Sequence, residues 1–297
     1  MTHMTFLPAI ETHRRHGINY MRYNRDVIDP EGHATDLFSD WAVDYIQKRS
    51  ASTAPFFLYL SYNAPHTPIQ PPDDWLDRVK AREPDISDDR AKLAALIEHM
   101  DDGIGKVLQA LKTTGADENT LLIFTSDNGG QLNVGASNGS LRDGKQSVYE
   151  GGLKVPALAV WPGHIQAGSH ANVVGLSMDW FPTLIEAAQV PLTHYIEGQS
   201  LLAVLRGQAT EIAARDVFFS RREGGIRYGG KTIEAVRRGP WKLLQNSPFG
   251  PQELYHLDTD PQEKHNRIEE EKEVFRSLAR ALREYVRHGG QIPWQRP

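Results

Sequence analysis

Leu121-Leu-Ile-Phe-Thr-Ser-Asp-Asn-Gly-Gly130 constrains this chain more than any other stretch. Four apolar residues lead towards Asp127-Asn128, and two glycines follow. A short apolar run bounded by turn residues reads as a buried strand, which needs cover on both faces. In open α/β sheets, ligands collect beyond the carboxyl ends of such strands. Asp127 and Asn128 stand at that end. Their carboxylate and carboxamide are hard oxygen donors, suited to Ca²⁺ or Mg²⁺ and not to a soft metal. A strand closed by an Asx-type turn is the plainer alternative, and these four residues alone do not separate the two.

The flanking pattern supplies the helices. Over residues 34–48, Ala34, Leu37, Phe38, Trp41, Ala42, Tyr45 and Ile46 recur at helical spacing. Pro55-Phe-Phe-Leu-Tyr-Leu60 is a second candidate buried strand, and it opens into a loop that prolines at 65, 68, 71 and 72 keep from being helical. A second helix is predicted over 88–112, with Leu93, Leu96, Ile97, Met100, Ile104, Val107, Leu108 and Leu111 on one face and Gly115 in the turn after it. A glycine-rich segment, 129–152, separates the strand at 120–125 from a further strand at Pro156–Val160. Residues 179–188 read as a short helix with Asp179 as N-cap and Pro182 in the first turn. Alternating helices and strands predict an α/β domain with a largely parallel sheet.

From about residue 207 the texture changes. Short strands are predicted at 217–220, 233–236, 241–244 and 253–257, the middle pair joined by Arg-Arg-Gly-Pro. A helix follows at about 269–287, with Glu269–Glu271 at its N-terminus and Gly289-Gly290 ending it. The expected organisation is therefore an α/β domain over 1–206 and a small antiparallel sheet with a terminal helix over 207–297. Composition narrows the function classes. The net charge is −5, unlike the basic footprint of a nucleic-acid binder. No apolar run approaches the roughly 20 residues of a membrane span. With no cysteine in 297 residues, thiolate metal sites and a cysteine nucleophile are excluded.

Three segments can be drawn to one site. His66 lies on the proline-stiffened loop after the 55–60 run, and Asp127-Asn128 ends the next strand. Lys145 lies in Ser137-Asn-Gly-Ser-Leu-Arg-Asp-Gly-Lys-Gln-Ser-Val-Tyr-Glu-Gly-Gly152. Most of the chain's 12 histidines belong at the surface, and a loop lysine is usually a solvated charge. Together with a divalent cation, however, a lysine and a histidine make an anion pocket able to hold a sulfate or phosphate ester.

Phe-Phe-Leu-Tyr-Leu-Ser-Tyr-Asn-Ala-Pro-His-Thr-Pro, Phe-Thr-Ser-Asp-Asn-Gly-Gly and Ser-Asn-Gly-Ser-Leu-Arg-Asp-Gly-Lys…Tyr-Glu-Gly-Gly resemble, in this order, segments of the type I sulfatases. Asp179-Trp-Phe-Pro-Thr-Leu and Glu253-Leu-Tyr-His-Leu-Asp-Thr-Asp-Pro261 are similar to segments further along that family. The resemblance covers the chain from about residue 30. It implies an alkaline-phosphatase-like fold: a mostly parallel sheet flanked by helices, then a small antiparallel sheet with a C-terminal helix. It also implies Asp127 and Asn128 as Ca²⁺ ligands. His66 and Lys145 would be sulfate-binding and catalytic, with His66 or Asp127 near the leaving oxygen. The substrate would be a sulfate-ester small molecule or a sulfated saccharide. The related two-zinc phosphoesterases typically carry Asp-His where this chain has Asp127-Asn128, which disfavours a phosphoesterase.

The family's Cys/Ser-x-Pro-x-Arg, source of its formylglycine nucleophile, has no counterpart in this sequence. Its early Asp-Asp pair and its Lys-x-His are also missing from the expected places. Asp101-Asp102 falls inside the 88–112 helix and reads as solvated helix charge. The expectation is an N-terminally truncated sulfatase, with residues 1–33 an irregular internal connection and Met1 or Met4 a start. Such a chain would be inactive alone and would expose an unpaired sheet edge. A separately encoded N-terminal half is one partner this implies; a non-catalytic remnant that binds an anion or a protein is the alternative. No signal peptide is visible, although family members are often exported or periplasmic.

Overall fold

The computed structural model describes residues 14–15, 18–19, 21–222, 232–247 and 249–289. The chain divides into two compact units. One is Met1–Leu122 with Asn133–Ala136 and Val160–His164; the other is Ile123–Leu132 with Ser137–Ala159 and Ile165–Pro297.

The first unit opens with two small antiparallel pairs, β1 (Arg14–Arg15) with β2 (Ile18–Asn19) and β3 (Arg22–Tyr23) with β4 (Asp26–Val27). Three helices follow: α1 (Ala34–Ser50), α2 (Asp73–Arg82) and α3 (Asp88–Thr114). His33 caps α1 by accepting from the Thr35 N–H, and Asp36 in the first turn with Lys48 and Arg49 in the last complement its dipole. Gly115, at φ 71°, takes the left-handed conformation that ends α3. Ala42 and Ile46 pack on Val107, Ala110 and Leu111, with Phe56, Leu58 and Leu60 beside them. The helices approach so closely that a Cβ on Gly103 would lie 2.3 Å from Ser39 Oγ. Leu93, Leu96, Val107 and Leu111 of the expected apolar face are buried, and small residues join them. Ala91, Ala95 and Ala110 are buried, whereas Trp41, Ile97 and Leu108 are exposed. Asp101 and Asp102 are exposed on α3, as expected.

The 55–60 run corrects an expectation. It is not a strand of a sheet among the described residues. Phe56, Leu58 and Leu60 pack inward, but Phe57 and Tyr59 are 69% and 80% exposed. Only one face is covered, because no strand of the described residues lies beside it. Helix α2 was not anticipated from the sequence. It starts directly after the proline loop and buries Val79 against Ala91 and Ala95.

Strand β5 (Leu122–Thr125) precedes the one-turn α4 (Glu150–Leu153) and pairs with β6 (Ala157–Val160). β5 was expected to be buried. Leu122, Ile123 and Phe124 are half-buried, and Leu158 and Val160 are exposed, since the pair stands alone as a two-stranded sheet among the described residues. The short helices α5 (Trp180–Ala187) and α6 (Leu202–Leu205) follow. Asp179 does not cap α5 with its side chain. Its carboxylate accepts instead from the N–H groups of Leu176 and Gln199, both at 2.8 Å, and from Arg215. A guanidinium fork outcompetes a helix end for a buried carboxylate.

Strands β7 (Asp216–Arg222), β8 (Thr232–Arg238), β9 (Trp241–Gln245) and β10 (Gln252–His256) form an antiparallel sheet in the order β10-β9-β8-β7. Alternation divides its residues between two faces. Val236, Leu243 and Leu254 pack on Leu278, Ala279 and Leu282 of α7 (Lys272–Gly289). Ala235, Leu244 and Tyr255 pack on Val148 and Tyr149. The sheet and terminal helix are as expected; Gly290, of the Gly-Gly stop, lies outside the described residues.

Candidate functional site

Asp127 and Asn128 lie on the turn that leaves β5, and Lys145 on the loop before α4. Backbone bonds stitch the two together. Gly129 N–H donates to Gly152 O at 2.9 Å, and Lys145 N–H donates to Gly130 O at 3.0 Å. Asn138 fills the gap: its Oδ1 accepts from Gly130 N at 2.8 Å, and its Nδ2 donates to the carbonyls of Gly130 and Asp143. Side chains would obstruct this weave. A Cβ on Gly129 would sit 1.8 Å from Gly151 O, and one on Gly151 would sit 2.2 Å from Asp143 O. Gly129→Ala should therefore cost about 1–3 kcal/mol and displace the Asp127-Asn128 turn. Urea unfolding reads the first effect; wild-type stability in the variant would contradict the packing.

The turn and loop present three unspent groups. Asp127 is exposed and has no hydrogen bond or ion pair among the described residues. Asn128 Nδ2 donates to Gly129 O at 2.9 Å, which orients the amide and leaves Oδ1 as an acceptor. Lys145 is half-buried and has no carboxylate partner among the described residues. The donor set fits a hard cation: two oxygens on one turn, with no competing protein cation bonded to them.

His66 belongs to the first unit. Its backbone N–H donates to Asn63 O, and cis peptide bonds at Ala64-Pro65 and Thr67-Pro68 bracket it. Its Nδ1 lies 2.7 Å from Thr67 O, and a carbonyl only accepts, so Nδ1 carries a proton.

Beneath the Lys145 loop lies a buried charge network that sequence reasoning missed. Lys242 Nζ, fully buried, donates to Glu150 Oε1 at 2.8 Å and pairs with Glu263 Oε1 at 2.6 Å. Glu263 Oε2 accepts from the Glu150 N–H at 2.7 Å, and Arg237 approaches Glu150 at 3.7 Å. Burial pushes the Glu263 carboxyl above its ordinary value, against the pull of Lys242. Arg142 adds a second tie. It donates to Tyr255 Oη and Glu263 O and lies 3.8 Å over the Tyr149 ring. Burial, then Glu253 beside it, pushes the Tyr149 hydroxyl up to about 12, so it stays protonated and donates to Glu253. One signal was readable: Lys242 shares the core-facing side of β9 with Leu244.

The fold and these loops define a class, the alkaline-phosphatase-like α/β proteins. The family model described as "Sulfatase" matches residues 8–190, and that described as "N-sulphoglucosamine sulphohydrolase, C-terminal" matches 142–288. The N-acetylgalactosamine-6-sulfatase of Mus musculus is 33% identical over 258 residues, covering 80% of this chain and 46% of that protein. A sulfatase of Formosa agariphila is 32% identical over 257 residues, again 80% and 46%. The crystal structure of Ps i-CgsB in complex with k-i-k-neocarrahexaose superposes with a TM-score of 0.80 at 30% identity, covering 90% of this chain and 58% of that one. BT4656 in complex with D-glucosamine-2-N,6-O-disulfate shares the fold at 18% identity, with a TM-score of 0.74 over 90% and 72%. The chain belongs to the sulfatase family. It spans about half the length of the curated relatives it matches. No helix among the described residues is long and apolar enough to cross a membrane.

Proposed function

We propose that this chain supplies the cation-and-lysine half of a sulfatase site, acting in the hydrolysis of sulfate monoesters of saccharides. The observation that carries the reading is the stitched pair of loops, which holds Asp127, Asn128 Oδ1 and the Lys145 ammonium without side-chain partners among the described residues. In this reading Asp127 and Asn128 hold Ca²⁺, which when bound would offset negative charge on the ester oxygens. Lys145 binds the sulfate group. His66, with Nδ1–H donating to Thr67 O, takes a second proton on Nε2 and donates it towards the leaving oxygen. The saccharide preference follows from the mouse relative, named for a 6-sulfated amino sugar, and from the carrahexaose-bound neighbour.

The sequence contains no Cys and no Ser-x-Pro-x-Arg. The purified 297-residue chain, with Ca²⁺ present, should therefore not turn over a chromogenic aryl sulfate. Turnover above a buffer blank would sink that expectation. A polypeptide carrying the nucleophile segment, supplied in trans, should restore hydrolysis of a 6-sulfated N-acetylgalactosamine, and Lys145→Ala should abolish it. Zinc-dependent phosphate-ester hydrolysis by that mixture would instead favour a phosphoesterase. A complex that forms but cleaves nothing would favour a non-catalytic binding protein.

A further inference from the structure

Helices α1 and α3 of the first unit meet at a pair of imidazoles that the sulfatase reading leaves unused. His33 stands just before α1, Asp36 lies in its first turn, and His99 lies midway along α3. The His33 and His99 rings meet edge-on with centroids 4.7 Å apart. His99 Nε2 is 2.9 Å from Asp36 Oδ1. One donor atom from each of the three residues lies within 4.8 Å of the others.

Two further observations point to a ligand. His99 is only 3% exposed, yet its Nδ1 has no hydrogen-bond partner among the described residues. A buried ring nitrogen left unpaired carries a cost that a helix contact alone does not require. His33 Nε2 lies 3.0 Å from Gln70 O, and a carbonyl only accepts, so that nitrogen carries the proton. The lone pair is then on Nδ1, where it accepts a 3.2 Å bond from Thr35 N. Donation of one ring N–H to a backbone carbonyl is the usual outer-shell arrangement of a metal-ligating histidine.

We propose that His33, Asp36 and His99 form a divalent transition-metal site, with Zn²⁺ the fitting ion, that clamps α1 to α3. Two imidazoles and a carboxylate are a zinc donor set, with water as the fourth ligand. The ion would draw one donor atom of each residue to roughly 2.0–2.2 Å from itself. Lys106 approaches Asp36 at 3.8 Å but lies nearer Asp102, at 3.2 Å, so it has an alternative partner when the ion enters. The Trp75 ring, 5.6 Å from that of His99, walls one side. The proposal is independent of the sulfatase reading, which uses none of these three side chains.

The test is zinc titration of the full, tag-free chain after chelator treatment, followed by X-ray absorption at the zinc edge. One zinc per chain, imidazole scattering and a raised unfolding temperature are expected. His33→Asn keeps an N-cap acceptor and Asp36→Asn keeps the shape; each should weaken zinc at least about tenfold and lose the thermal shift. Equal affinity in wild type and variants would assign the metal to other histidines and overturn the proposal. So would absence of uptake, leaving the cluster a hydrogen-bonded clamp. If a variant fails to fold, wild-type absorption without two imidazoles is equally decisive.

Discussion

Lys242→Met will destabilise the second unit by about 3–5 kcal/mol, the usual cost of removing one partner from a buried ion pair. The ammonium is fully buried between Glu150 and Glu263. Methionine matches its length but leaves Glu263 facing Glu150 with no cation between them. Arg237, at 3.7 Å, compensates only Glu150. Because Glu150 begins α4, directly after the Lys145 loop, the damage will spread to the candidate site. Urea unfolding measures the loss. The double variant Lys242→Met/Glu263→Gln should recover most of it, since the orphaned charge has been removed. Equal destabilisation of single and double variants would show that packing, not charge, sets the cost.

Asp179→Asn should cost a similar amount, about 3–5 kcal/mol. The carboxylate is fully buried and accepts from two backbone N–H groups and both terminal nitrogens of Arg215. Asparagine turns one acceptor into a donor facing other donors. The pair also has a pH signature. Burial pushes the Asp179 carboxyl up, but Arg215 and the Gln199 and Leu176 amides outweigh it and hold it below 3.8. A carboxyl depressed in the folded state contributes stability that is present above its unfolded value and lost as pH falls through the folded value. Wild type should therefore lose this contribution below about pH 3.8, and Asp179→Asn should lack that component of the acid limb. A variant with the wild-type acid profile would exclude Asp179 as its source.

The elements that local pattern specifies were legible. α1, α3, α7 and the four strands of the C-terminal sheet follow hydrophobic period and turn chemistry. Asp127, Asn128 and Lys145 could be named because glycines and short apolar runs mark where backbone must approach backbone. Burial was less legible. Phe57 and Tyr59 read as core and are exposed, since apolarity states a preference and only a neighbouring strand can satisfy it. Asp179 read as a cap because its competitor, Arg215, lies 36 residues away in sequence.

By itself, the sequence determined the family, the helices α1, α3, α5 and α7, the strands of the C-terminal sheet, and the residue types at the candidate site. These depend on local spacing and on side-chain chemistry. Only the tertiary structure decided that Lys242, Glu150 and Glu263 share one buried point, and that His33, Asp36 and His99 meet between two helices. The reason is physical: a charge is burial-tolerant only beside its partner, and partners far apart in sequence are joined by the fold alone.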